Sequence, residues 1–439
     1  MMLGYYFSLA LAGLKRNVGL TALMIAAIAV GIGASMTALV VYRGMAGDPI
    51  PGKAHQLYAV QIDAWGPDRH TAVYSDRDRF PGQLTYIDAM ALMRARAAKH
   101  QAAMHATDMT VIPANPQLSP FKTSARATYT DFFTMFDVPF AYGGPWSAAD
   151  DEAHSKVVVI SGTLNEALFD GSDSVGQYIR FEDGVYRVVG VLRDWRPVPR
   201  FYDLTDNFFG DTDQVFVPFS TATDEQLPRD EDTDCNKDIP TGATLLRSDC
   251  VWIQFWVELP TRQDAKAYGE FLRNYALQQQ RSGRFNWLAA TRLRDVPEWL
   301  SYNGVVSQQV KLMVFVSFGF LLVCLVNAAG LMLAKVMEQG TRIATRRAVG
   351  ASRPAILIQY LTEAAMVGAA GGAAGLLVTY LGLAAARRIF SANIFQLVGL
   401  GASNASIEVS LAVVATLLAA LYPTWRAMSV NPAAQLKTR

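Results

Sequence analysis

Four long stretches of the chain carry almost no charged residue, and polar segments of very different length separate them. The stretches are residues 18–42, 312–334, 355–386 (interrupted by Glu363) and 409–425. The hydrocarbon core of a bilayer is about 30 Å thick, which a helix of about 20 apolar residues crosses. Each stretch is therefore predicted to span a membrane, the fourth provided that its helix begins near residue 405.

These spans divide the chain into one large polar domain and several short segments. The first span is too long for a cleaved leader and lacks a small-residue cleavage site, so we expect it to remain as a signal anchor. An amphipathic pattern precedes this span and favours a helix along the membrane surface. Its apolar and aromatic positions are Tyr5, Tyr6, Phe7, Leu9 and Leu14. The predicted division is a surface helix at 1–17, spans at 18–42, 309–334, 355–385 and 405–425, a polar domain at 43–308, a basic segment at 335–354, a loop at 386–404 and a tail at 426–439.

The positions of Lys and Arg predict the orientation. Lys15 and Arg16 precede the first span, and residues 335–354 contain five basic residues against one acidic residue, Glu338. Short loops rich in Lys and Arg stay in the cytoplasm. Both termini and the basic segment are therefore predicted to be cytoplasmic, and the polar domain periplasmic, in a bacterial inner membrane. The net charge of +1 gives no reason to expect a nucleic acid partner.

The polar domain has the alternation of a mixed α+β fold. Ser161 is suited to cap a helix that runs through Leu168, and residues 182–184 are suited to join two strands as a hairpin. The predicted strands are residues 56–63, 156–160, 177–181, 185–191, 215–219 and 251–259, and the predicted helices include 84–96 and 262–280. We expect two subdomains, with residues 150–250 inserted between 43–149 and 251–308. The predicted fold class is thus a membrane protein of four transmembrane helices with a large α+β periplasmic domain.

Two cysteines of this domain, Cys235 and Cys250, lie 15 residues apart in a polar stretch. In an oxidising compartment a disulfide across such a loop stabilises a protein by about 3 kcal/mol. We predict this disulfide, with two free thiols as the alternative.

Catalytic and metal-binding motifs are absent from the sequence. The five histidines form no HExxH, and His100 and His105 would lie on different faces of a helix. The chain has no GxSxG and no phosphate-binding loop. The acidic run that begins at Asp230 lacks the glycine and glutamate of a calcium loop, since Cys235 and Thr241 occupy those positions. We therefore predict that the chain is not itself an enzyme and holds no metal.

Residues 335–349 are predicted to form one helix with a basic strip. Arg342 and Arg346 are four residues apart and share a face of that helix. Gly350 is suited to end it, and Pro354 to the first turn of the next helix. The strip either meets anionic lipid and fixes the topology or docks a cytoplasmic partner, and charge alone does not separate these readings.

Small residues mark one face of the third span. Small residues four apart let helices approach closely in lipid, so we predict tight helix packing at Gly368, Gly371, Gly372 and Gly375. Glu363 lies about two turns into the same span. We expect it to pair with an arginine of the basic helix, and a proton relay is the less favoured alternative.

The segment TRIATRRAVGASRPAILIQYLTEAAMVGAAGGAAGLL, with PTWRAMSVNPAAQL near the C terminus, resembles the MacB/FtsX family of ABC transporter permeases. TSARATYTDFFTMFDVPFAYGGPW and SVGQYIRFEDGVYRVVGVLRD in the polar domain are similar to that family too, as is the order of span, domain and three spans. This type VII, or mechanotransmission, family implies a porter-like subdomain and an inserted sabre-like one.

The resemblance also implies partners. A dimer of permease chains would be driven by a separate cytoplasmic ATPase, which would hold ATP and Mg²⁺, while this chain would bind no cofactor. The residues implied to meet the ATPase are Arg342, Arg346, Arg347, Gly350 and Ala351. The implied function is efflux of an antibiotic, peptide or siderophore from the periplasm or envelope by a mechanical stroke, with a periplasmic adaptor and an outer-membrane channel as further partners.

Two departures from the family modify this picture. MacB proper carries a nucleotide-binding domain that is absent from this sequence, so we expect the ATPase to be a separate subunit. Arg342, Ile343 and Ala344 replace the usual Glu-Ile-Gly before the basic pair, which favours two unlike permease chains over a homodimer. The alternatives are lipoprotein extraction of the LolCDE kind and FtsX-like regulation without transport, and the large domain at 43–308 argues against the second.

Overall fold

The computed structural model describes residues 2–65, 81–113, 119–205, 207–230, 233–235, 240, 242–389 and 402–428. Its contacts separate into two compact units. Met1–Ala46 and Val306–Arg439 form one, which we call the membrane unit, and Gly47–Val305 forms the other, which we call the globular unit. Residues 390–401 of the predicted loop, residues 429–439 of the predicted tail, His70 and part of the acidic run after Asp230 lie outside the described residues.

The described α-helices, in chain order, are α1 (Met2–Arg16), α2 (Val18–Met45), α3 (Tyr86–Ala95), α4 (Asp131–Met135), α5 (Ala148–Glu152), α6 (Gly162–Phe169), α7 (Phe219–Asp224), α8 (Arg262–Arg281), α9 (Val296–Tyr302), α10 (Gln308–Glu338), α11 (Gly340–Ala348), α12 (Arg353–Ala386) and α13 (Ala402–Met428). A 3₁₀ helix spans Gly242–Arg247. The described strands are β1 (Leu57–Ile62), β2 (Leu84–Thr85), β3 (His100–Val111), β4 (Phe121–Thr128), β5 (Phe140–Gly143), β6 (Val157–Ile160), β7 (Tyr178–Phe181), β8 (Gly184–Leu192), β9 (Val215–Pro218), β10 (Val251–Glu258) and β11 (Thr291–Asp295).

In the described part of the membrane unit, four helices are long and apolar enough to cross a bilayer. They are Val18–Met45, Gln308–Glu338, Arg353–Ala386 and Ser406–Arg426. Buried side chains of these helices, including Met24, Ile28, Met332, Tyr360 and Val367, form one apolar core. The chain is thus a membrane protein, and the charge-free stretches of the sequence located its spans because a lipid environment penalises charge along a whole helix.

The globular unit is built on a mixed sheet. Its described strands follow the order β11-β1-β10-β3-β4-β9-β6-β8-β5, while β2 pairs with β10 and β7 pairs with β3 and β8. The pairs β4–β9 and β6–β8 are parallel and the others antiparallel. Every side chain of β10 is buried, which explains its nearly continuous apolar sequence. The expected α+β domain is confirmed.

Strand β3 lies between β10 and β4 in the sheet and pairs with a different one along each half of its length. Residues 100–104 pair with β10, and residues 105–111 pair with β4. Strands β4 and β5 precede residue 150 in the chain but pair with β9 and β8. Because the contacts leave Gly47–Val305 as one unit, the division into porter-like and sabre-like subdomains stays a prediction.

Several local predictions are confirmed. Strands β7 and β8 form the expected hairpin. The Ser161 side chain accepts a hydrogen bond from the Leu164 amide and caps α6, which ends at Phe169. Residue 84 begins a two-residue strand before α3, so the helix expected over residues 84–96 starts two residues later, where Thr85 caps it. Tertiary pairing with β10 overrides the helical pattern at those two residues.

Candidate coupling site of the membrane unit

The basic segment forms a short helix of its own, α11. Helix α10 ends at Glu338, and Gln339 is both its C-terminal cap and the residue before α11. The prediction of one helix over residues 335–349 is therefore wrong. The apolar face of α11 packs against the rest of the membrane unit, since Gly340, Ile343 and Ala344 are buried.

The end of α11 follows the sequence prediction. Gly350 has φ +107°, a conformation that glycine adopts more readily than other residues. Its amide donates to the Arg347 carbonyl oxygen at 3.2 Å, and the Ala351 amide donates to that of Arg346 at 2.9 Å. Ser352 then caps α12, with Pro354 in its first turn. Four residues, 349–352, thus separate the basic helix from the helix of the third span.

Two side-chain hydrogen bonds hold α11 on α12. The Tyr360 hydroxyl donates to Gln339 Oε1 at 3.2 Å, just before α11 begins. Near the end of α11, Arg346 Nη1 donates to Gln359 Oε1 at 2.6 Å. Of the other predicted coupling residues, Arg342 and Gly350 are exposed, whereas Arg347 and Ala351 are half-buried. The structure therefore carries a basic, partly exposed helix fixed at both ends to one membrane helix.

Glu363 pairs with Lys335 of α10, so the expected pairing with an arginine of the basic helix is wrong. Lys335 is 1% exposed and Glu363 5% exposed. The sequence pattern placed Lys335 in a cytoplasmic segment because a charge normally ends a span. The signal that could have found the pair is the single acid of the third span, since a charged carboxylate inside an apolar span is stabilised by a cationic partner.

The four glycines predicted to pack lie where α12 meets its neighbours. A Cβ atom added at Gly371 would lie 2.7 Å from Ile28 of α2, and one at Gly372 would lie 2.9 Å from Ala412 of α13. Added Cβ atoms at Gly368 and Gly375 would lie 3.0 Å from Thr416 and 3.2 Å from Glu408. A side chain at Gly371 or Gly372 would force a neighbouring helix to move, whereas at Gly368 and Gly375 the neighbour would have to shift by only a few tenths of an ångström.

Glu408 is a second buried acid that sequence analysis missed. It lies in α13 and accepts a hydrogen bond from Thr379 of α12 at 2.8 Å. Sequence analysis overlooked it because it precedes the uncharged stretch of residues 409–425. It adds a polar link to the small-residue contact between the third and fourth spans.

The globular unit contains a cluster of buried charges. Arg126 of β4 donates from Nη2 to Asp203 and from Nε to Asp213, both at 2.6 Å, and all three side chains are at most 2% exposed. Burial alone would raise the pKa of Asp203, but the charges of Arg126 and Arg200 outweigh it and lower that pKa to about 2. The cluster fixes the connection between β8 and β9 to the sheet.

The buried histidine of β3 is a packing residue. His105 packs edge-on against Phe219 and Trp252, with ring centroids 5.4 and 5.0 Å away. Burial lowers the pKa of His105 to about 4, despite a hydrogen bond to the Ala106 carbonyl that favours the protonated ring. Among the described residues no group of three or more His, Cys, Asp or Glu side chains could hold a metal ion.

The predicted disulfide between Cys235 and Cys250 is present, with Cα atoms 4.1 Å apart. Both cysteines are buried. Beside the bond, Asp234 and Val251 form an isolated antiparallel bridge. The disulfide therefore fastens the chain before β10 to the start of that central strand.

Two family models match most of the chain. Residues 21–275 match the MacB-like periplasmic core domain, and residues 314–432 match the FtsX-like permease C-terminal domain. The chain is 28% identical over 258 residues to the pyoverdine export ATP-binding/permease protein PvdT of Pseudomonas syringae pv. syringae (strain B728a), covering 58% of this chain and 34% of that protein.

A second relative is the macrolide export ATP-binding/permease protein MacB of Azoarcus sp. (strain BH72), 27% identical over 274 residues, or 62% of this chain and 37% of that protein. The matched part of the chain thus spans about a third of these relatives' length. A similar solved structure is the periplasmic region of MacB from Actinobacillus actinomycetemcomitans, which covers 56% of this chain and 91% of that one at 14% identity and a TM-score of 0.35. Because the periplasmic core match alone covers more than half of the chain, the chain belongs to the MacB/FtsX-like family of ABC transporter permeases.

Proposed function

We propose that this chain is the permease subunit of an ABC exporter and that α11 is where a cytoplasmic ATPase acts on it. The observation that carries the proposal is the basic helix fixed at both ends to α12. A partner that moves α11 also moves α12, because the hydrogen bonds at Gln339 and Arg346 and the buried face of α11 resist separate motion. ATP and Mg²⁺ would be bound by the ATPase, and this chain would bind no cofactor.

The proposed orientation places both termini and α11 in the cytoplasm and the globular unit in the periplasm of a bacterium. The basic residues of segment 335–354 support this orientation. The disulfide between Cys235 and Cys250 supports it independently, since disulfides persist in the periplasm and are rare in the cytosol.

The proposed cargo is an antibiotic, peptide or siderophore that is taken up from the periplasm or envelope. Relatives of the chain are named for the export of pyoverdine and of macrolides, which supports this class of substrate. A second permease chain, a periplasmic adaptor and an outer-membrane channel complete the proposed assembly. The exposed Arg342, in place of an acid, favours a second permease chain of different sequence.

Charge reversal of α11 tests the proposal. Arg342→Glu combined with Arg346→Glu reverses the exposed basic face without substituting a residue of the four spans, but it also removes the hydrogen bond from Arg346 to Gln359 of α12. We expect the double variant to remain in the membrane while recovery of the ATPase with the affinity-purified chain falls at least about tenfold, as a loss of several charge contacts predicts. Arg388→Glu, an exposed charge reversal just past the other end of α12, is the matched control and should recover the ATPase normally. Gln359→Leu, which removes only the bond from Arg346, is a second control and should also recover the ATPase normally.

The same purification separates the candidate functions. Recovery of an ATPase with the wild-type chain, lost in the double variant, supports the coupling role of α11. Undiminished recovery in the double variant contradicts that role and leaves the basic strip as a topology signal. Recovery of a periplasmic hydrolase without an ATPase would instead favour regulation without transport.

A further inference from the structure

A buried acid lies where three helices of the membrane unit meet. Helix α12 packs along both α13 and α2. Glu408 lies in the second turn of α13 and is 0% exposed. A Cβ atom added at Gly375 of α12 would lie 3.2 Å from Glu408 Oε1 and 3.5 Å from the Ala29 carbonyl oxygen of α2. The carboxyl group of Glu408 is therefore enclosed by backbone of two neighbouring spans.

In the described part of the chain, this carboxyl group has one polar partner. Its Oε1 atom lies 2.8 Å from Thr379 Oγ1. Its Oε2 atom is buried and makes no hydrogen bond to a described group. The titratable side chains of the adjacent helices point elsewhere, since Tyr380 of α12 is exposed and Cys324 of α10 packs against Gly31 of α2. Among the described residues no cation is paired with Glu408.

An ionised Glu408 would be an uncompensated charge inside a membrane span. Glu363, a buried acid of the neighbouring span, is paired with Lys335. Burial of a carboxylate that has no cation, and one oxygen without a hydrogen-bond donor, is far more costly than burial of the neutral acid. The apolar interior of a bilayer adds to this difference. A bound proton on Glu408 removes the charge and with it the cost.

The hydroxyl group of Thr379 has two oxygen neighbours and a single hydrogen. Its Oγ1 atom lies 2.8 Å from Glu408 Oε1 and 3.4 Å from the Gly33 carbonyl oxygen, which also accepts from Thr37 at 2.8 Å. An ionised Glu408 takes the Thr379 hydrogen. A protonated Glu408 donates across the same oxygen–oxygen distance instead, and the Thr379 hydrogen is then available to Gly33. The second arrangement leaves only a neutral oxygen without a donor, which costs less than an unsatisfied carboxylate oxygen.

We propose that Glu408 is a proton-binding site of the membrane unit, and that at neutral pH it donates its bound proton to Thr379 and so joins the fourth span to the third. Glu408 is in this sense a positioning residue. Its ionisation would place an unpaired charge between α12 and α13, so the close packing of these helices requires the proton. The inference goes beyond the proposed function and depends neither on the ATPase nor on the orientation of the chain.

Infrared spectroscopy of the full chain in lipid tests the bound proton, because a protonated carboxyl group has a carbonyl-stretch band that a carboxylate lacks. At pH 7 an accessible glutamate, with a pKa of about 4.3, is protonated in fewer than about 1% of molecules. We expect Glu408→Gln to remove band intensity equal to that of a single carboxyl group in each chain. Glu338→Gln, which replaces an exposed acid at the end of α10, is the matched control and should remove at most about a tenth as much.

Variants of Thr379 test the acceptor of that proton. Thr379→Val removes the hydroxyl group and should shift the Glu408 band to higher frequency, because the carboxyl hydrogen then has no acceptor. Thr379→Ser keeps a hydroxyl group and should return the band to its wild-type position. Thr424→Val is the control, since Thr424 is equally buried but donates within α13 to the Ala420 carbonyl oxygen at 2.6 Å. Its loss should leave the band in place.

Equal band intensity in the wild type and in Glu408→Gln would show that Glu408 is ionised and would overturn the proposal. An unshifted band in Thr379→Val, or a band that stays shifted in Thr379→Ser, would overturn the assignment of Thr379 as the acceptor. If Glu408→Gln fails to accumulate in the membrane, Thr379→Val decides, because this variant keeps the acid and its band shifts only if Glu408 carries the proton. The ATPase is absent from all of these samples, so the proposed function is judged separately.

Discussion

The two units of this protein bury charged side chains in different ways. In the globular unit Arg126 binds Asp203 and Asp213 at once, and Asp203 also accepts hydrogen bonds from Gln254 at 3.3 Å and from Thr205 at 2.6 Å. In the membrane unit Lys335 and Glu363 form a single pair. The first arrangement is a network that includes a second cation, Arg200, 3.5 Å from Asp203, whereas the second depends on one contact.

This difference indicates which parts are built to stay fixed. A network with several partners holds its geometry even when one hydrogen bond is strained, because the others still satisfy the buried groups. A single pair between two helices is broken by any displacement that separates its two charges. The charged cluster is therefore expected to make the globular unit rigid, and the ion pair is the more adjustable element.

The largest expected effect is at Arg126. Arg126→Met leaves Asp203 and Asp213 buried without their shared cation and should lower the free energy of unfolding of the globular unit by about 3–5 kcal/mol. Denaturant titration of the full chain in detergent, followed by tryptophan fluorescence, measures this loss. Arg196→Met is the control, because Arg196 pairs with Asp194 on the surface and its loss should cost less than about 1 kcal/mol. Equal losses of unfolding free energy in the two variants would show that Arg126 stabilises the globular unit no more than a surface ion pair does.

Breaking the membrane pair should have a smaller effect. Lys335→Met leaves Glu363 without its partner and should lower the free energy of unfolding of the chain by about 2–3 kcal/mol, less than Arg126→Met, because Glu363 lies only about three turns from the start of its helix. Addition of Glu363→Leu should restore most of this loss, since no charge is then left unpaired. Unfolding by a denaturing detergent measures both variants, and a double variant less stable than the single one would contradict this account.

A buried group that stays neutral gives a third test. The pKa of His105 is lowered by burial from 6.5 to about 4, so the unfolded chain binds more protons than the folded chain between those values. Stability therefore falls as the pH drops through this window, by about 2 kcal/mol between pH 7 and pH 5. His105→Phe should remove that part of the pH dependence, as unfolding measured at both pH values will show. An unchanged pH dependence in the variant would exclude His105 as its source.

The smallest expected effects are at helix caps, where the two units should not differ. Thr261 and Ser352 each accept a hydrogen bond from a backbone amide in the first turn of α8 and α12. Thr261→Ala and Ser352→Ala should each cost about 1 kcal/mol, since both caps lie at exposed helix starts. Unfolding of each variant beside the wild type measures this. A much larger loss for Ser352→Ala would show that the turn between α11 and α12 carries more strain than the caps suggest.

Local pattern and resemblance predicted much of the candidate site. The end of the basic helix at Gly350, the start of the next at Ser352 and the pairing of Cys235 with Cys250 agree with the structure. Each depends on the conformational preference of one residue or on two residues close in the chain. The break before α11 was missed because Lys335 to Val349 has a continuous helical pattern, and only packing of Gly340 and Ile343 divides it.

The sequence by itself determined the layout of this protein, namely membrane helices with one large α+β domain between the first and second of them. Length and absence of charge are sufficient for that, because a bilayer selects long apolar helices. Only the tertiary structure decided that Lys335 and Glu363 meet, that Thr379 reaches Glu408 and that Arg126 joins two aspartates. Such partners lie far apart in the chain, and the energy of a buried charge depends on what surrounds it in space.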